Sequence, residues 1–97
     1  GDGFDLDAAR TGEVVRSHRD PSKISITEGS AARPYLEIGT GVVLHDVDVE
    51  TGPDSDREQD IREVRTMAKE LASEWGGTAI IDFELSRFGA IFTVIRR

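Results

Sequence analysis

The stretch SDREQDIREVRTMAKELASEWGGTAIIDFEL, residues 55–85, decides the fold. Ser55 is a good helix N-cap, and Glu58 three residues later completes a capping box that satisfies two backbone N–H groups reciprocally. Ile61, Val64, Ala68, Leu71 and Trp75 then recur at spacings of three and four, the period of a helix with one buried face. Met67 and Ala72 widen that stripe. Asp56, Glu58 and Asp60 sit in the first turns, where carboxylates favour the positive end of the helix dipole. Gly76 or Gly77 supplies the left-handed residue that ends the helix. The next eight residues, TAIIDFEL, alternate, with Ala79, Ile81, Phe83 and Leu85 on one face of a strand. A helix over Ser55–Trp75 that returns into a strand follows from these signals.

Downstream, Arg87-Phe88-Gly89 makes a tight reversal, and Ala90 to Arg96 forms a last strand paired antiparallel with the one before it. Ala90, Phe92 and Val94 take one side of it, Ile91 and Ile95 the other. Upstream, Thr51-Gly52-Pro53-Asp54 is a loop leading into the helix. Before it, Val42 to Val49 reads as a strand with Val43, His45, Val47 and Val49 on one face and Val42 and Leu44 pointing the other way. Tyr35, Leu36 and Ile38 form a short apolar segment, either a strand or a packed loop. Asp20-Pro21-Ser22 is a turn signal, because Pro presets φ and Asp bonds the backbone ahead of it. On either side, Glu13–His18 and Lys23–Thr27 pair as a hairpin. Residues 1–11, rich in Asp and Gly, read as a loose arm.

The expected fold class is therefore α+β: a small sheet with one main helix, an N-terminal hairpin followed by a strand–helix–strand–strand core. Residues 12–97 form a single domain behind a flexible arm over 1–11. One helix covers one sheet face, and Ile81, Phe83, Phe92 and Val94 are assigned to it. Ile80, Ile91 and Ile95 are then left on the opposite face as candidate interaction residues. Their cover is either Ile24, Ile26, Tyr35 and Leu36 or a second copy of the chain.

Ninety-seven residues at 37% hydrophobic content support one core. No apolar run approaches the roughly 18 residues of a membrane span, so direct membrane insertion is not expected. The chain opens Gly1-Asp2-Gly3, and its compartment stays open between cytoplasmic and exported after loss of an upstream signal. The absence of cysteine excludes disulfides, thiolate metal sites and cysteine nucleophiles. A net charge of -7 argues against nucleic acid as a partner, because like charges repel. Arg outnumbers Lys ten to two, a bias that points to a GC-rich, bacterial genome.

The most chemical-looking run is His45-Asp46-Val47-Asp48-Val49-Glu50, followed by Asp54 and Asp56. Hard cations need several oxygens converging on one point, and Asp46 and Asp48 share a strand face. Asp46, Asp48 and Glu50 are thus candidate cation ligands, against the plainer reading of a solvated strand running into an acidic loop. The calcium-loop pattern is not met: Gly52 falls one place late, and the twelfth position from Asp46 is Arg57. His18 and His45 are the only imidazoles and lie far apart in sequence, short of a zinc set. His45 fits better as a core or interface histidine among valines. No nucleophile elbow is present. Gly39-Thr40-Gly41 is read as turn glycines rather than a phosphate loop, since a strand and not a helix follows. Arg16, His18, Arg19 and Lys23 form a basic cluster, best read as the polar side of the hairpin. Trp75 closes the helix stripe as a core residue.

Gly41-Val42-Val43-Leu44-His45, the helical run Val64 to Trp75, the turn Gly76-Gly77-Thr78-Ala79-Ile80-Ile81 and the final Ala90 to Ile95 together resemble the YbjQ-like proteins. That family is described as heavy-metal-binding, and the C-terminal domain of the RcsF lipoprotein is related to it. The likeness spans about half the chain. It implies a βαββ core and a ring-like homo-oligomer. The asparagine of the family's turn and all cysteines are missing, so no family site residue carries over. The leading expectation is a non-enzymatic structural or protein-interaction module, self-associating or docking on a protein partner, with no cofactor. The alternative is a small-ligand or divalent-cation-binding domain using the acidic Asp46–Asp56 region.

Overall fold

The computed structural model describes residues 4–10, 19–32, 34–45, 54–86 and 89–97, with the backbone alone for residues 4, 5, 10, 45 and 54–57. They form β1 (Phe4–Arg10), β2 (Ser25–Ile26), β3 (Leu36–His45), α1 (Asp54–Glu74), β4 (Ala79–Ser86) and β5 (Gly89–Arg96). The strands make one mixed sheet in the order β1-β3-β5-β4-β2. β5 is antiparallel to both β3 and β4, so those two run parallel with β5 between them and α1 as their crossover. The fold class is α+β, with the strand–helix–strand–strand core in its expected order.

α1 starts and stops within one residue of the span that the sequence predicts. Val64, Ala68, Leu71 and Ala72 are buried, with Met67 and Trp75 packed at the margin of the same cluster. The Ser55–Glu58 capping box involves Ser55, whose side chain lies outside the described residues. The other end is fully drawn. Gly76 takes φ 79° and its N–H donates to the Ser73 carbonyl, while the Gly77 N–H donates to the Ala72 carbonyl. That pair of bonds is a Schellman stop, which favours glycine at the left-handed position. Gly77 is held to glycine by space: a Cβ there would lie 2.5 Å from Val94 Cγ1. The Arg96 guanidinium donates to the Gly76 carbonyl at 2.7 Å, tying β5 to the helix end.

β4 departs from simple alternation. Ile81 pairs with Thr93 but Glu84 pairs with Ile91, so β4 carries one extra residue, and Asp82 sits at φ 53°. Such a bulge reverses the strand's phase. Ile80 therefore lies beneath α1 together with Phe83, and Ile81 faces the other way; the sequence alternation had placed Ile80 and Ile81 on the opposite sides. Across β5 the expected split holds. Phe92 and Val94 join the helix-side core, and Ile95 joins a smaller cluster with Ala79 and Ile81.

β3 is one ten-residue strand that runs through Gly39-Thr40-Gly41, so these are not turn glycines. At Gly41 the reason is packing: a Cβ there would meet the Phe92 ring at 2.4 Å. Phe4–Arg10, read from sequence as part of a loose arm, pairs with β3 along all seven residues. Asp5 and Asp7 disfavour a strand, but pairing against a formed sheet overrides propensity. Of the expected N-terminal hairpin, residues 13–18 lie outside the described residues. Ser25–Ile26, from its second arm, pairs in parallel with Ala79–Ile80. The Asp20 turn forms as expected: its Oδ1 accepts from the Ser22 N–H at 2.9 Å and from the Ser22 hydroxyl at 2.8 Å. These two bonds hold the Asp20 carboxyl below its ordinary value.

Candidate docking face

Cross-strand register sorts the side of the sheet away from α1 into rows. Asp7, Val42, Ile91 and Glu84 form one row across β1, β3, β5 and β4. Asp5, Leu44, Gly89 and Ser86 form the next row, and Ala9, Thr40, Thr93 and Ile81 the row on the other side. Towards the start of β3 the face is closed, where Ala31 and Tyr35 pack over Ala79, Ile81 and Ile95. Of the residues expected to provide this cover, Tyr35 does so. Ile24 and Ile26 instead join the helix-side core, and Leu36 is exposed.

Towards the end of β3 no described residue lies over the sheet's second face. Ile91 is 51% exposed and Leu44 45%. Val42, directly opposite Ile91 and two residues from Leu44 along β3, is half-buried. Gly89 contributes no side chain to the row it shares with Leu44. A shallow hollow of about 150 Å³ opens there, walled by Val42, Leu44, Ile91, Glu84 and Ser86. Gly89 cannot be otherwise: its φ is 139°, and an added Cβ would fall on the Val43 carbonyl oxygen. The exposed carboxylates Asp7 and Glu84 end the Val42–Ile91 row on the two flanking strands. Aliphatic side chains on the two central strands are thus bordered by acid on both sides.

The three isoleucines expected on one open face do not share it. Ile80 and Ile95 are fully buried in different clusters, and Ile91 alone presents area to solvent. Asp46, Asp48 and Glu50 lie outside the described residues, as does His18; of His45 only the backbone is described. Among the described residues no group of His, Cys, Asp and Glu converges as a metal set. From the basic cluster, Arg19 and Lys23 are exposed. No described helix is long and apolar enough to cross a membrane.

Alternation along the strands already turns Val42 and Leu44 away from Val43, and Ile91 away from Phe92. What sequence does not supply is the register that sets them side by side between Asp7 and Glu84. Compared with protein-family models, curated proteins and solved structures, the chain matches none.

Proposed function

We propose that this chain is a non-enzymatic protein-interaction module that docks another polypeptide on the open end of its sheet. The observation that supports this reading is the aliphatic group of exposed Leu44 and Ile91 with half-buried Val42 on the paired strands β3 and β5. Fully burying an aliphatic side chain of this size contributes roughly 1.5–3 kcal/mol, so covering the exposed halves of Ile91 and Leu44 yields about half that each. A folded chain that leaves them in water retains that free energy for a partner. Central strands also hold such side chains in fixed geometry, which lowers the ordering cost of docking.

A photoreactive benzoylphenylalanine in place of Ile91, and separately in place of the exposed Glu63 on α1, tests the reading in extract of the source cells. A discrete adduct from position 91 and none from position 63 is expected. An adduct of twice the chain mass identifies a second copy as the partner. Indiscriminate adducts from both positions, or none from either, contradict the proposal.

A further inference from the structure

Resting on that docking face, we infer that its occupant is a cationic amphipathic helix, with an aliphatic stripe bordered on both sides by Lys or Arg. The width of the site carries the inference. Asp7 and Glu84 lie in one row, three strand spacings apart, or roughly 14 Å between their backbones. An α-helix with its side chains is about 10–12 Å across, so a helix seated over β3 and β5 spans this gap. Its apolar stripe would meet Val42, Leu44 and Ile91, and residues at the stripe's edges would come over β1 and β4. An exposed carboxylate stands on each of these strands, Asp7 on β1 and Glu84 on β4, so a helix with cations at both borders is attracted there and one with carboxylates is repelled.

The chain already seats one helix on this sheet, since α1 packs on its other face over β5 and both of its neighbours. The second face is closed by Ala31 and Tyr35 at one end, so an occupant would abut them and extend towards the end of β3. A second copy of this chain fits less well. It would set Asp7 and Glu84 against another set of carboxylates, and the chain as a whole carries a charge of -7.

Two synthetic helices of about five turns, one with a leucine stripe bordered by lysines and one with the same stripe bordered by glutamates, separate the possibilities. Each is titrated into the full, nitrogen-15-labelled chain and the backbone amides are followed by NMR. The lysine helix should give saturable shifts at Val42, Leu44 and Ile91, and the glutamate helix should bind at least about tenfold more weakly. In the double variant Asp7→Lys, Glu84→Lys, with unchanged circular dichroism, the preference should reverse. Equal binding of the two helices, an order that the double variant leaves unchanged, saturable shifts confined to another surface, or no saturable shift with the lysine helix overturns the inference. Self-association through Ile91 that excludes both helices also overturns it, and leaves the docking face standing. The crosslinks from position 91 judge that face independently.

Discussion

Phe92 and Ile91 are neighbours in one strand, yet Phe92 is 1% exposed and Ile91 51%. Both are large and apolar, so the residue type does not set the difference. Alternation sends Phe92 beneath α1 and Ile91 to the second face. Ile95, four residues on and on the same side as Ile91, is fully buried because Ala31 and Tyr35 lie over it. The helix side holds the larger core, with Leu6 and Leu85 exposed at its margins, while the second side is core at one end and surface at the other. A small sheet can thus spend a short loop on half a face and keep the remainder for contact.

The largest test of that contrast is a pair of alanine substitutions. Phe92→Ala removes the ring that packs 6.3 Å from Phe83 and fills the space over Gly41. It should cost about 3–5 kcal/mol, and Leu71→Ala on the facing helix about 2–5 kcal/mol. Ile91→Ala should change stability by less than about 1 kcal/mol. Urea unfolding measures all three, and similar losses for Phe92 and Ile91 would erase the distinction between the faces.

The next test concerns the switch of phase in β4. Asp82 holds φ 53°, a conformation that costs a β-branched residue more than it costs Asp and costs Gly least. Asp82→Val should therefore destabilise by roughly 1–2 kcal/mol while Asp82→Gly stays near neutral. Were Val tolerated as well as Gly, the bulge that moves Ile80 under the helix would be in question.

Those positions also mark where sequence reading succeeds and where it stops. Val64, Ala68 and Leu71 announce their helix because the 3.6-residue period and the glycine stop agree with the tertiary structure. The final antiparallel pair is legible for the same reason: Ser86 pairs with Gly89 where β4 and β5 meet. A bulge has no comparable signal. It depends on one backbone torsion at Asp82, and a slip of one residue exchanges Ile80 with Ile81. Gly41 misleads in another way, since glycine marks turns by backbone freedom but here makes room for Phe92. β1 is hidden from sequence because Asp5 and Asp7 argue against a strand that only pairing with β3 creates. The candidate docking face is half legible: alternation turns Ile91, Val42 and Leu44 each away from the helix-side residues, but their adjacency is a product of register.

The smallest expected effect is at the Asp20 turn, which anchors the segment entering β2. The Ser22 hydrogen bonds favour the ionised carboxylate, so the folded form has the lower pKa. Its contribution is present above the ordinary value near 3.8 and is lost as pH falls through the folded value. Asp20→Ala should lower the melting temperature slightly at neutral pH, and the gap to the parent chain should narrow in acid. A gap that widens in acid would reverse the assigned sign.

Thermal unfolding of Ile91→Asp beside Ile95→Asp, followed by circular dichroism, tests the division of the second face most directly. Burying an unpaired carboxylate beneath Ala31 and Tyr35 should abolish cooperative folding in Ile95→Asp. Ile91→Asp should keep the parent spectrum and melt within about 4–8 °C of it, the shift that corresponds to about 1 kcal/mol in a chain of this size. An Ile91→Asp chain that unfolds like Ile95→Asp would make this end of the sheet part of the core and contradict the account.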